Sequence, residues 1–246
     1  MSRRVIADPA AGVGGIRALF LQALHPRTMA GVHQHSEFPA DFWPRLRRTA
    51  EYVTTVTFGT TVEAEMAAAR VRQAHRAVRG FDPVSGLRYA ADDPDLLRWV
   101  HVAEVSSFLD TVRRAGVNLS EQDADSYFAE QVHVAALLGV LDTPSNQAEV
   151  AAYLANIRPE LTASAITRQA ALRLVLPPLP MRINLLTPAR PAWASLACLA
   201  FALLPVWARA IYGVPTLPGT DIAAVAALRV LRAGVLSVRP ALRPSR

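Results

Sequence analysis

The chain has 246 residues, of which 52% are hydrophobic and 19% charged, with 26 basic against 20 acidic side chains and a formal net charge of +6. That length suffices for one large domain with a real core, or for two small ones. Every basic residue is arginine; they are spread along the chain with no dense block and no nucleic-acid motif, which argues against a nucleic-acid partner and leaves a positive surface suited to anionic lipid heads or substrates. Cys198 is the sole cysteine. No intrachain disulfide can form, a reducing compartment fits, and covalent c-type haem attachment through Cys-x-x-Cys-His is excluded. Residues 1–10 lack the apolar core of a signal peptide, so cytoplasmic residence is the expectation.

Helical spacing dominates from residue 15 to about residue 176, and strand signals are scarce. Residues 1–14 read as an N-terminal tail. A first helix is predicted over 15–24, stopping near His25-Pro26, and a helical turn continues over 27–35. Residues 42–58 form a second long helix, with Asp41 as N-cap and Pro44 tolerated in the first turn. Gly59 ends it. Thr60-Thr61-Val62-Glu63 has capping-box form for a helix over the segment 60–81 that stops at Gly80, followed by the turn-rich Asp82-Pro83-Val84-Ser85-Gly86. Asp93-Pro94 opens a helix that runs to Ala115 and is closed by Gly116. Ser120 opens another that ends at Gly139, and 146–156 and 163–176 read as two more.

Pro177, Pro178, Pro180, Pro188 and Pro191 mark an irregular connection over 177–191. Residues 192–204 are then an unbroken apolar run, shorter than the roughly twenty residues that span a bilayer. It reads as a core packing helix or, alternatively, as a surface that touches a membrane or partner peripherally. An amphipathic helix over 220–238 and a basic tail over 239–246 complete the chain. The sum is a single all-α, multi-helix domain over 15–238, with 192–238 as C-terminal packing helices.

The residues that carry chemistry lie on three helices. In the segment 60–81, Ala64, Ala67, Ala68, Val71, His75 and Val78 share a face. An imidazole is the one large polar group on a stripe of small side chains, with room beside it for something flat. In helix 42–58, Arg45, Thr49, Tyr52 and Val56 share a face, with Arg48 on its edge. A buried guanidinium needs an anion, such as a carboxylate or a haem propionate; the alternative is a solvated edge with the arginine snorkelling outward.

In the helix opened by Pro94, His101 faces inward with Leu97, Val105, Phe108 and Val112, and Glu104 lies at the margin. It is either a core histidine satisfied by a neighbour or, beside His75, one member of an axial and distal pair. Glu130 and His133 have the Glu-x-x-His spacing of di-iron carboxylate sites, which require it twice; here it occurs once. His25, His33 and His35 match no metal pattern and are expected at the surface or at helix ends. Cys198 lacks the activating surroundings of a thiolate ligand. No G-x-S-x-G, Walker or G-x-G-x-x-G motif is present.

Leu21-Gln22-Ala23-Leu24-His25-Pro26, Ala30-Gly31-Val32 and His35-Ser36 resemble the N-terminal signature of an actinobacterial group. That group shares its catalytic domain with rubber oxygenase (latex clearing protein) and with the endoplasmic-reticulum-bound oxygenase of mycophenolic acid biosynthesis. Arg45-Leu46-Arg47-Arg48-Thr49 resembles the family's Arg-x-x-x-Thr element. Ala74-His75-Arg76-Ala77-Val78-Arg79-Gly80 resembles the stretch around its haem-ligating histidine. Trp99-Val100-His101 and Tyr212-Gly213-Val214 also fit, so the resemblance covers residues 15–214.

The resemblance implies a globin-like helical core and non-covalent haem b. It makes His75 the axial iron ligand and Arg45 and Thr49 pocket residues. The lysine that can ligate the distal iron position in latex clearing relatives is replaced by Arg48, and a guanidinium is a poor ligand. The implied activity is oxidation by dioxygen of a small hydrophobic, unsaturated, isoprenoid-like substrate. In that reading Arg45 neutralises a propionate or polarises oxygen, Arg48 can do the latter, Thr49 donates a hydrogen bond and His101 is a distal acid–base or supporting group. A haem-binding sensor or carrier without turnover is the rival of a different class, and a di-iron oxidase built on Glu130 and His133 is the third.

Overall fold

Capping side chains mark where five of the helices begin. In the computed structural model, which describes residues 1–35, 42–178 and 187–238, the order is α1 (Ser2–Ile6), α2 (Ala10–Gln22), α3 (Pro26–His35), α4 (Phe42–Phe58), α5 (Thr61–Arg76), β1 (Arg79–Asp82), β2 (Leu87–Ala90), α6 (Pro94–Arg114), α7 (Glu121–Leu137), α8 (Gln147–Asn156), a 3₁₀ turn (Arg158–Glu160), α9 (Ala165–Val175), α10 (Ala189–Ala202), α11 (Val206–Ile211) and α12 (Thr220–Val238). The fold is all-α apart from the two short strands. Thr60 and Glu63 form the expected capping box of α5, and Ser120 and Asp123 form another at α7. Asp93, Asn146 and Ser164 accept backbone N–H bonds at the starts of α6, α8 and α9. The proposed cap Asp41, Ser36, Pro180 and the basic tail 239–246 lie outside the described residues.

Helix α6 is the axis of the domain. Leu96, Trp99, Val102, Val105, Phe108 and Val112 are all buried, on faces all round the helix, as expected of a segment enclosed by others. Its closest partner is α2. A Cβ on Gly14 would stand 3.0 Å from the Ser107 carbonyl oxygen and 3.1 Å from Phe108 Cα, so any side chain there would push the two helix backbones apart by a few tenths of an ångström. Arg17, buried in α2, donates to the Leu203 carbonyl at 3.0 Å and to Ser107 Oγ at 2.7 Å, and pairs with Asp110 at 3.2 Å. Its charge is thereby compensated rather than stranded.

The segment 192–204 packs on α2, burying Ala197, Ala200, Leu203 and Leu204 in the core. That is the core-packing alternative. No helix among the described residues is long and apolar enough to cross a membrane.

Two expectations are corrected. Residues 1–14 are not a tail: they form α1 and the first turn of α2, with Val5, Ala10, Ala11 and Val13 buried and Asp8 held by Arg232 at 2.8 Å. Small side chains that look flexible in isolation are here the price of close helix packing. The helix placed over 60–81 ends at Arg76, and Arg79–Asp82 pairs antiparallel with Leu87–Ala90. The Asp82 carboxylate sets that turn, accepting from the Val84 and Ser85 amides at 3.1 and 2.8 Å, with Gly86 at φ +71°.

The α4–α5 pair lies shallowly on the body. Helix α4 buries no residue, and α5 buries only Ala67 and Ala68. The start of α4 is tied down by Trp43, whose Nε1 donates to the Pro178 carbonyl at 2.7 Å and whose ring meets Trp193 of α10 edge-on, centroids 4.9 Å apart.

Candidate functional site

A cavity of about 330 Å³ opens between α2, α3, α4, α5, α6 and α9, within the usual range for a small-molecule site. Its walls are largely apolar, with Leu19, Phe20, Leu97, Val100 and Leu174 among them. Arg45, Thr49 and His75 come together on one side, joined by His35 at the rim. The inward stripe of α5 is real: Ala67 and Ala68 are buried, and Ala64, Val71, His75 and Val78 are half-buried. Because α5 stops at Arg76, His75 stands in its last turn, beside the hairpin residue Tyr89 that completes the wall.

Burial, then the Arg45 guanidinium, lower the His75 pKa, while Asp92 pulls the other way. A depressed imidazole is neutral at neutral pH, which is the form that ligates metals. Arg45 and Thr49 line the cavity while remaining exposed, because its α4 side is open. Of the two alternatives for their stripe, the Arg45 and Thr49 end is the solvated edge of an open cavity, while Tyr52 and Val56 are half-buried. The Thr49 hydroxyl donates to the Arg45 carbonyl at 3.0 Å, so the side chain presents acceptor lone pairs rather than its proton. Arg48 is exposed and is not among the residues lining the cavity.

His101 is buried but does not line the cavity either. It faces α7 in a polar seam one helical turn deeper. Tyr52 follows Thr49 by three residues on α4, Arg72 precedes His75 by three on α5, and Glu104 follows Val100 by four on α6, so three elements step away from the cavity together. Tyr127 and Gln131 close the seam from α7. The Tyr52 and Tyr127 hydroxyls and His101 Nε2 are buried there without a hydrogen-bond partner. Burial pushes the Glu104 carboxyl up to about 7 and His101 down to about 4, where a backbone interaction with Gln131 opposes the fall. Burial and the coupled Glu104 carboxyl both push the Tyr52 and Tyr127 phenols up.

The other histidines also separate. His35 lies at the cavity rim, its Nε2 3.1 Å from the Arg79 carbonyl oxygen and its ring edge-on to Tyr89. His25, expected at the surface or at a helix end, stands at the start of α3, where it is buried with Nε2 3.7 Å from Glu160. His33 is exposed. Glu130 accepts from the Met1 amino group and the Ser2 amide, His133 is exposed, and the pair meets no second carboxylate–histidine set among the described residues. Sequence reasoning missed Glu104 as a central group and Tyr127 altogether. The available signal was the spacing: His101–Glu104 and Tyr127–Gln131 each place two polar side chains one turn apart on one helix.

A helical domain whose apolar cavity carries a neutral imidazole and a cation on its wall is of the class that binds a small molecule or prosthetic group. The model of the family described as ER-bound oxygenase mpaB/B′/rubber oxygenase, catalytic domain, matches residues 3–234, and the chain belongs to that oxygenase family. No curated protein and no solved structure matches the chain.

Proposed function

We propose that the protein is a haem b-dependent oxygenase acting on a small hydrophobic, unsaturated, isoprenoid-like substrate, with His75 as the axial iron ligand. The observation that carries this reading is the position of His75: a half-buried imidazole, held neutral, on the wall of an apolar cavity with Arg45 beside it. The residues fit the group. The neutral ring is the ligating form, the arginine at the open side suits a propionate, and the apolar wall suits both a porphyrin face and a hydrocarbon chain. Haem iron would supply the dioxygen chemistry, which no side chain offers.

The chain's own residues would do the rest. His75 would fix the iron on α5. Arg45 would pair with a carboxylate at the cavity mouth, where solvent screens the interaction and keeps it modest. Thr49, anchored to its own helix, would offer an acceptor to a water or hydroxyl. Leu97, Val100 and Leu174 would exclude water and align an alkyl chain. Arg48 and His101 have no place in this scheme, since neither reaches the cavity.

The test is reconstitution with haem, followed by spectroscopy and oxygen uptake. A Soret band that is lost or shifted in His75→Ala, with oxygen consumed and carbonyl products formed from an unsaturated isoprenoid, is the expected result. Identical haem content and spectra in wild type and variant would refute the ligand assignment. Stable oxygen binding without product would make the protein a sensor or carrier instead.

A further inference from the structure

We propose that Gln22 makes the cavity selective for a substrate bearing a neutral hydroxyl, so that the hydrocarbon it takes is an alcohol rather than a plain alkene or an acid. This deepens the functional reading above and rests on its use of the cavity as the substrate site. Gln22 is the last residue of α2 and lies half-buried on the cavity wall. Its side-chain amide Nε2 donates to the Val100 carbonyl of α6 at 3.0 Å. Its backbone carbonyl accepts from Nε1 of the fully buried Trp99 at 3.2 Å. Only the N–H end of a side-chain amide can meet a carbonyl, so the orientation of Gln22 is fixed and Oε1 is the atom left over. Among the described residues, nothing donates to it.

The neighbouring polar groups on the walls are already engaged. The Tyr89 hydroxyl donates to Gln34 Oε1 at 2.8 Å, the Thr49 hydroxyl is held by its own helix, and His35 Nε2 meets the Arg79 carbonyl. The Thr28 hydroxyl oxygen is buried. Arg27 lines the cavity where α2 passes into α3, but its guanidinium lies 3.4 Å from Asp93 and 3.9 Å from Glu160. Two carboxylates therefore already answer the cation nearest Gln22 in the sequence. What the α2 wall offers a ligand is one fixed acceptor among Leu19, Phe20 and Val100.

An acceptor of that kind sorts ligands by their chemistry. A plain hydrocarbon strips water from Oε1 and returns no donor. A carboxylate sets its lone pairs against those of the amide oxygen. A hydroxyl donates its proton to Oε1 while its alkyl chain covers the apolar wall, the usual division of labour in a small-molecule pocket. A neutral hydrogen bond made here, set against an acceptor left dry, amounts to about a tenfold preference in binding.

Calorimetric titration of the full chain as purified, at neutral pH, compares three probes: geraniol, geranyl methyl ether and geranic acid. The ether keeps the oxygen, loses the donor proton and is the more apolar, so simple partitioning would favour it. The expected result is geraniol bound about tenfold more tightly than the ether, with the ionised acid weaker than geraniol. Gln22→Met, close in volume, should bind alcohol and ether equally, by weakening the alcohol alone. An ether bound as tightly as the alcohol, tightest binding of the acid, or no binding of any probe would overturn the proposal. So would equal weakening of alcohol and ether in Gln22→Met, which would make the side chain a mere tie between α2 and α6. The titration reads neither turnover nor iron ligation, so the Soret comparison of His75→Ala stands or fails separately.

Discussion

His101 and Glu104, three residues apart on α6, are displaced in opposite senses by the same burial: the imidazole to about 4 and the carboxyl to about 7. Their effects on stability therefore oppose. For Glu104 the folded value lies above the unfolded one, so stability falls as pH rises from about 4.5 to 7. For His101 the folded value lies below the unfolded one, so stability falls as pH drops from about 6.5 to 4. Across the shared window the two slopes cancel. Relative to wild type in urea denaturation, the two variants should therefore diverge in opposite directions from about pH 4.5 to 6.5, on top of the slope that His25 and His75, also lowered by burial, give all three proteins. On that relative scale Glu104→Gln should gain stability with rising pH, and His101→Gln should lose it. Each slope approaches ~1.4 kcal/mol per pH unit. Parallel profiles for all three proteins would contradict the assignment.

Gly14→Ala should cost about 1–3 kcal/mol, because the new methyl group meets backbone rather than a yielding side chain. Gly12→Ala, where nothing lies within 4 Å, is the matched control and should be neutral or slightly stabilising. Thermal melts of the pair would check this.

Asp82→Ala should loosen the β1–β2 turn, since one carboxylate serves both the Val84 and Ser85 amides and the Ser85 hydroxyl. A loss of about 1–3 kcal/mol follows from deleting a charged acceptor of several bonds. Exchange at Arg79–Asp82 should rise, and Tyr89, which lines the cavity, should become more accessible. Unchanged protection of the hairpin would count against the turn as its anchor.

Arg45→Gln should weaken retention of a carboxylate-bearing ligand only modestly. An exposed ion pair is worth about 0.2–1 kcal/mol, so haem dissociation should accelerate no more than about fivefold, and raised salt should shrink the difference. Haem transfer to an acceptor protein measures this. A hundredfold effect would mean that Arg45 acts in an enclosed site rather than an open one.

Much of the fold was legible because caps and periodicity agreed. Phe42–Phe58 and Thr220–Val238 have the ends that their residues predict, and Thr60, Asp93, Ser120 and Asn146 open helices where a cap should. The hairpin was not legible, since two four-residue strands are too short to display a period of two against a helical background. The packing of residues 1–14 was hidden for another reason: it depends on what α6 presents to Gly14. At the site, the spacing that puts His75 on a small-residue stripe and Arg45 and Thr49 on one face was enough to gather all three. It could not reveal that α4 lies shallowly on the body, so it left open whether Arg45 and Thr49 are buried or solvated. Nor could it separate His101 from the cavity, because a helix turns by 100° per residue and neighbours one turn along can serve different spaces.

Trp43 and Trp193 meet across the boundary between α4 and α10. Coupled indoles at this separation give a chiroptical signal that depends steeply on their mutual orientation, so the molecule carries its own optical gauge. The near-ultraviolet dichroism of the unmodified chain will register any displacement of α4, with no dye or probe attached.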